Sequence, residues 1–148
     1  ELVSRDWSSD VCSSDLATVL WLGMPPAPPH EGIEAARRVA NEQFAALAER
    51  RSDVGYLDTG LALGGPGGGF TRFRVGLGGT VIQVRKVRGE WDDGHLCPGG
   101  AALLGHLVLG ALRADHDIGD PSERWWEDAW TSDARYDDPP GGCDASVD

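Results

Sequence analysis

At 148 residues the chain has room for one hydrophobic core, and its formal net charge of -11 argues against electrostatic capture of nucleic acid or an anionic membrane surface, which requires clustered Lys and Arg. Its longest apolar run, Ala101 to Leu112, is broken by Gly105 and His106 and is too short to span a bilayer. Neutral and cationic partners are left by this balance.

The first segment, Glu1 to Leu16, is acidic and serine-rich where a secretory leader would be basic and then apolar. Asp6 to Leu16, Asp-Trp-Ser-Ser-Asp-Val-Cys-Ser-Ser-Asp-Leu, resembles the conceptual translation of a sequencing adapter. Residues 1–16 are therefore set apart as an artefactual, disordered leader, a natural polar leader being the alternative. The expected organisation is the C-terminal part of a domain over 17–113 and an acidic, Trp-rich extension over 114–148. Setting Cys12 aside leaves Cys97 and Cys143. They suit a disulfide that ties the extension to the domain in an oxidising compartment, with two free thiols as the alternative.

Thr18 to Leu22 is continuously apolar, which predicts a strand buried on both faces of a parallel sheet. Pro25 to Pro29 form a loop. From Ile33, the residues Ile33, Ala36, Ala40, Phe44 and Leu47 recur at helical spacing, with Glu34, Arg37, Arg38, Glu42 and Arg50 on the polar side. Gly55 to Thr59 supplies a second strand, so the unit reads strand, helix, strand and the class is α/β. The glycine-rich stretch Gly64 to Gly69 lacks the Gly-Lys-Ser/Thr ending of a phosphate loop and leads into strand-like residues, so it is a plain loop. Phe70–Val75 and Thr80–Val87, joined by Gly76 to Gly79, predict a hairpin forming one wall of a cleft. Pro98 opens a helix whose buried stripe is Ala101, Leu104, Leu107 or Val108, and Leu112, packed on the sheet. Beyond Arg113 no long apolar period remains. Trp125, Trp126 and Trp130 are expected to fold back onto the domain, a sugar-stacking platform being the sharper alternative.

The chemistry concentrates in Trp91-Asp92-Asp93-Gly94-His95-Leu96-Cys97-Pro98, just ahead of that helix. A carboxylate that accepts from one imidazole nitrogen fixes the tautomer, leaving the other nitrogen to take a proton from a hydroxyl nucleophile. With Asp92 three residues before His95, a short loop would suffice to make the pair.

This segment resembles the last block, Asp-x-x-His, of SGNH/GDSL-type serine hydrolases, in the fuller Asp-Gly-x-His-Leu-Cys-Pro form of actinobacterial members. On that resemblance Asp92 takes the acid position and His95 the general-base position. Asp93 stands where glycine is usual, which makes Asp93 the fallback acid. Trp21 to Pro26, Tyr56 to Thr59 and the tail from Trp125 to Cys143 extend the likeness over nearly everything after Ala17. The resemblance implies a flavodoxin-like, three-layer α/β domain acting on a small acyl ester or an acetylated carbohydrate, outside the cell or in its envelope. Relatives of this type are often the outward-facing domain of a membrane O-acyltransferase.

The family's Gly-Asp-Ser block is absent. Ser52, Ser122, Ser132 and Ser146 lie in surface-like contexts, no Gly-x-Ser-x-Gly elbow exists, and Asn41 falls inside the first helix. The chain alone is thus expected to be inactive. The rival reading is a non-catalytic glycan-binding or cell-envelope domain. No cofactor motif is present. His95 and Cys97 are too few for a zinc site; His106 lies inside the helical pattern and reads as a packing residue, and His30 and His116 are loop or tail residues without partners. Asp115, Asp117 and Asp120 lack the glycine and closing glutamate of a calcium loop.

Overall fold

The structure, a computed structural model, describes residues 18–146, so the leader over 1–16 lies outside it. Its architecture is mixed α/β, with strands in three two-stranded sheets. Strand β1 (Val19–Leu22) pairs in parallel with β2 (Val54–Leu57), Val19 opposite Val54 and Leu22 opposite Leu57. Between them runs helix α1 (Glu34–Arg50), which packs on β2 and stacks Phe44 on Trp21 at 4.8 Å. The buried hydroxyl of Thr59 donates to the Gly23 carbonyl at 2.6 Å, locking the carboxyl ends of the two strands together.

Two expectations change here. The apolar run of β1 predicts burial on both faces. Having β2 as its one strand neighbour among the described residues, β1 is instead half-buried, and Leu22 is exposed. In α1 the far half of the predicted stripe, Ala40, Phe44 and Leu47, is partly covered, whereas Ile33 and Ala36 face water. The buried residue of the first turns is Arg37, whose guanidinium donates to the Met24 carbonyl and to Glu34, so its charge is answered.

A four-residue helix α2 (Gly60–Leu63) follows β2, and the glycine stretch is the loop beyond it. Strand β3 (Phe73–Val75) then pairs with β4 (Val81–Gln83) through the glycine turn, as the hairpin reading predicts. Thr80–Val87 is not one strand, however. The buried Val84 breaks it, and β5 (Arg85–Arg88) turns away to pair antiparallel with β6 (Trp91–Leu96), a segment whose sequence reads as loop. Helix α3 (Pro98–Asp115) contacts α2, β4 and β6. It is apolar around most of its circumference, and its fully buried residues are Gly100 and Ala102, outside the predicted stripe. The core lies where these parts meet: Ala62, Leu63, Val84, Cys97 and Ala102.

Gly100 makes that junction possible. A Cβ there would stand 2.2 Å from the Val84 carbonyl oxygen and 3.0 Å from its carbon, both rigid backbone. Gly100→Ala should therefore destabilise the fold by roughly 1–3 kcal/mol, as overpacking does. At Gly110, where nothing lies within 4 Å, the same change should instead stabilise by about 0.5–1 kcal/mol through helix propensity. Urea unfolding of both variants checks the pair, and equal midpoints would contradict it.

The extension returns to the body. Three short 3₁₀ turns (Trp125–Glu127, Ala129–Ser132, Ala134–Tyr136) carry it back to a disulfide between Cys97 and Cys143. Lys86, 1% exposed, ion-pairs with Asp137 at 2.6 Å and also donates to the Pro139 carbonyl. The Gln83 amide clasps the strand end, donating to Gly142 and accepting from the Ala145 N–H. Trp125 lies over Gly105 of α3, and Trp130 donates its indole N–H to the Trp125 carbonyl at 2.9 Å. Trp125, Trp126 and Trp130 are all half-buried, which supports the packing role.

Candidate active site

Strand β6 carries the candidate residues, and its irregularity sets their geometry. Val87 faces Asp92 and Arg85 faces Leu96, so Asp93, Gly94 and His95 together stand against Lys86 alone. Surplus residues in one strand must bulge. Asp93 closes the bulge as an Asx turn, its Oδ1 accepting from the His95 backbone N–H at 2.9 Å. The same oxygen meets His95 Nδ1 at 2.5 Å. Arg88 Nε forms an ion pair with the other carboxylate oxygen at 2.6 Å.

The acid beside His95 is thus Asp93, not Asp92. Asp92 sits in the regular part of the ladder, and its carboxylate pairs with Arg72. The Asp-x-x-His expectation presupposes a loop that can fold the acid back over three residues; a bulged strand brings the residue two positions away into reach instead. Burial works to raise the Asp93 carboxyl, but the hydrogen bonds from the His95 backbone and ring, with the charges of His95 and Arg88, outweigh it. They hold the carboxyl below the usual aspartate range. It is therefore an ionised acceptor at neutral pH.

His95 is open to solvent, its side chain 59% exposed against 13% for Asp93. With Nδ1–H directed at Asp93, the Nε2 lone pair is the free acceptor, and no partner holds Nε2 among the described residues. His95 lines a cleft of about 240 Å³ with Leu96, Pro98, Ala101, Trp130, Tyr136 and Asp138. The cleft has the helix α3 start on one side and the extension on the other.

Arg85 supports this arrangement from behind. Only 2% exposed, its guanidinium donates to the Gly94 carbonyl at 2.5 Å and to the Pro26 carbonyl at 3.3 Å. It thereby joins the loop leaving β1 to the residue before His95. Burial pushes its pKa down to about 10, so it is still a cation at neutral pH. Glu31, whose carboxylate oxygen lies 3.3 Å from where a Gly94 Cβ would be, supplies the compensating negative charge nearby.

Sequence reasoning misses Arg85, Arg88, Trp130 and Tyr136 as parts of this site. Charged strand residues read as solvated faces, because Lys and Arg are rarely fully buried without a partner. The sign that was available is the run Arg85-Lys86-Val87-Arg88, too basic for an ordinary surface in so acidic a chain.

A larger hollow of about 590 Å³ lies beside α1 and the glycine loop. Two of its three guanidinium groups are already committed, Arg37 to Glu34 and Met24, and Arg74 to the Leu61 and Gly64 carbonyls. The Asn41 amide is likewise spent, exchanging hydrogen bonds with the N–H and carbonyl of Met24. The serines fare no better as nucleophiles: Ser132 donates to the Ala129 carbonyl, and no described serine bonds to His95.

The fold and site together define a mixed α/β chain with an exposed, carboxylate-backed histidine at a cleft. Comparison with family models, with curated proteins and with solved structures finds no match. No helix among the described residues is long and apolar enough to cross a membrane.

Proposed function

We propose that this chain carries the acid and base of a serine ester hydrolase of the SGNH/GDSL kind, in a domain whose complete form is flavodoxin-like. The observation that carries the reading is the His95 side chain, 59% exposed and held by the ionised Asp93 through Nδ1. On this reading the nucleophilic serine and the oxyanion donors are not among residues 18–146.

On this reading the proton traffic runs through His95. As the serine Oγ bonds to the ester carbonyl carbon, its proton passes to His95 Nε2, and Asp93 stabilises the imidazolium. Collapse breaks the bond to the leaving alcohol, which departs with that proton. Water then attacks the acyl-enzyme and gives its proton to His95. The carboxylic acid leaves as the serine oxygen recovers a proton from the ring. Arg85 and Arg88 fix the backbone and carboxylate behind the base and touch no substrate. The Cys97–Cys143 disulfide suits an extracellular or cell-envelope setting.

A fluorophosphonate ester, which traps activated serines, tests this on the full-length gene product. Labelling of one serine outside residues 18–146, lost on His95→Ala, is the expected result. A protein that neither labels nor hydrolyses 4-nitrophenyl acetate would instead be the non-catalytic binding domain.

A further inference from the structure

We infer that Arg85 is a positioning residue for His95: its guanidinium and the Asp93 carboxylate clamp the peptide unit between Gly94 and His95 from opposite edges, and the fold tolerates a buried cation to keep that clamp. The clamp stands without the hydrolase reading; only its effect on turnover rests on that reading.

The two polar groups of this peptide are held separately. Its carbonyl, on Gly94, accepts from Arg85 Nη1 at 2.5 Å. Its N–H, on His95, donates to Asp93 Oδ1 at 2.9 Å, and the same oxygen meets the imidazole Nδ1. In a trans peptide the C=O and N–H point in opposite directions, so the two contacts brace one plane from both sides. Regular strand pairing does not brace it, since Asp93, Gly94 and His95 fall where β6 bulges against Lys86. Glycine on one side of the plane offers little resistance to its turning over. Such a turn would take the N–H away from Asp93 and swing the imidazole off its acid.

As a purely structural residue Arg85 is a poor choice. It is 2% exposed, and its hydrogen bonds go to two neutral oxygens, the Gly94 and Pro26 carbonyls. Among the described residues no carboxylate forms an ion pair with it, and its buried Nε has no hydrogen-bond partner. Lys86, the next residue and equally buried, has Asp137. The Phe70 ring, 5.9 Å from the guanidinium carbon, is a weak substitute for a counter-ion. A charge buried in this way destabilises a fold relative to an apolar side chain of similar length. The apolar side chain, however, lacks the planar fork that reaches one carbonyl in β6 and another in the loop leaving β1.

The test compares Arg85→Met and Arg85→Lys in the full-length protein, where activity and stability should rank in opposite orders. Arg85→Met, with no donor, should lower kcat on 4-nitrophenyl acetate by roughly ten- to a hundred-fold at unchanged KM, and Arg85→Lys, which still reaches one carbonyl, should recover part of the loss. Arg85→Met should nevertheless melt above Arg85→Lys, whose ammonium stays buried with fewer hydrogen bonds. Hydrogen exchange of the His95 backbone amide, followed by NMR, should quicken roughly ten-fold in Arg85→Met, the order expected for one lost hydrogen bond. Arg85→Met melting below Arg85→Lys, loss of the fold in both, or unchanged exchange at His95 overturns the inference. Wild-type protein that leaves the ester intact would remove the hydrolase reading, and the melting and exchange comparisons would still decide the clamp.

Discussion

In the full-length protein, His95→Ala should lower kcat on 4-nitrophenyl acetate by roughly 10⁴-fold or more, and Asp93→Asn by about the same order. The two losses have one cause. An asparagine at 93 can present its NH₂ to Nδ1, which favours the tautomer with the proton on Nε2, so the ring can no longer accept from a serine. Asp92→Asn should cost less than about ten-fold, because it removes only a partly exposed ion pair with Arg72. The melting temperature of His95→Ala should hardly move, since the side chain is 59% exposed. Turnover by His95→Ala at the wild-type rate removes His95 from the mechanism. A larger loss at Asp92 than at Asp93 would return the acid role to Asp92 and mean that the bulge rearranges in the complete domain.

Cys143→Ser, or reduction of the bridge, is expected to destabilise the protein by about 4 kcal/mol, the chain-entropy value for a loop whose ends are 46 residues apart. For a domain of this size that is a fall in melting temperature of ~10 °C. The effect should also be local. Cys97 lies two residues beyond His95, and releasing Cys143 frees the segment that holds Trp130 and Tyr136 against the cleft. Tryptophan emission should therefore shift to the red before global unfolding. Calorimetry and fluorescence with and without reductant check both. Identical melting with unchanged emission would show that Lys86, Gln83 and the tryptophan packing hold the extension unaided.

How much of this was legible in the sequence follows from which interactions are local. The parallel pair β1 and β2, helix α1, the glycine hairpin and the Pro98 helix start all announce themselves through period, proline or glycine. The Cys97–Cys143 bridge follows from an even cysteine count once Cys12 is set aside. The split of Thr80–Val87 at Val84 does not, because the decision is made by Gly100 packing on the Val84 carbonyl, a contact between distant residues. Which of the two aspartates meets His95 is not legible for a related reason. The Asp92-Asp93 pair is ambiguous as text, and only the pairing of β5 with β6 shows where the surplus residues bulge. Burial of Arg85 and Lys86 was equally hidden. On an isolated strand they look solvated, whereas here the loop leaving β1 bonds to Arg85 and the extension to Lys86.

That position of Lys86 bears on where the domain ends. Composition draws a border at Arg113, yet the ammonium at 86 finds its carboxylate at 137, and the Gln83 side chain finds partners at 142 and 145. Trimming at the compositional border would strip Lys86 of its counter-ion, Gln83 of its partners at 142 and 145, and Cys97 of its disulfide mate. The stretch from Trp125 to Cys143 in this sense completes the domain, although its composition sets it apart.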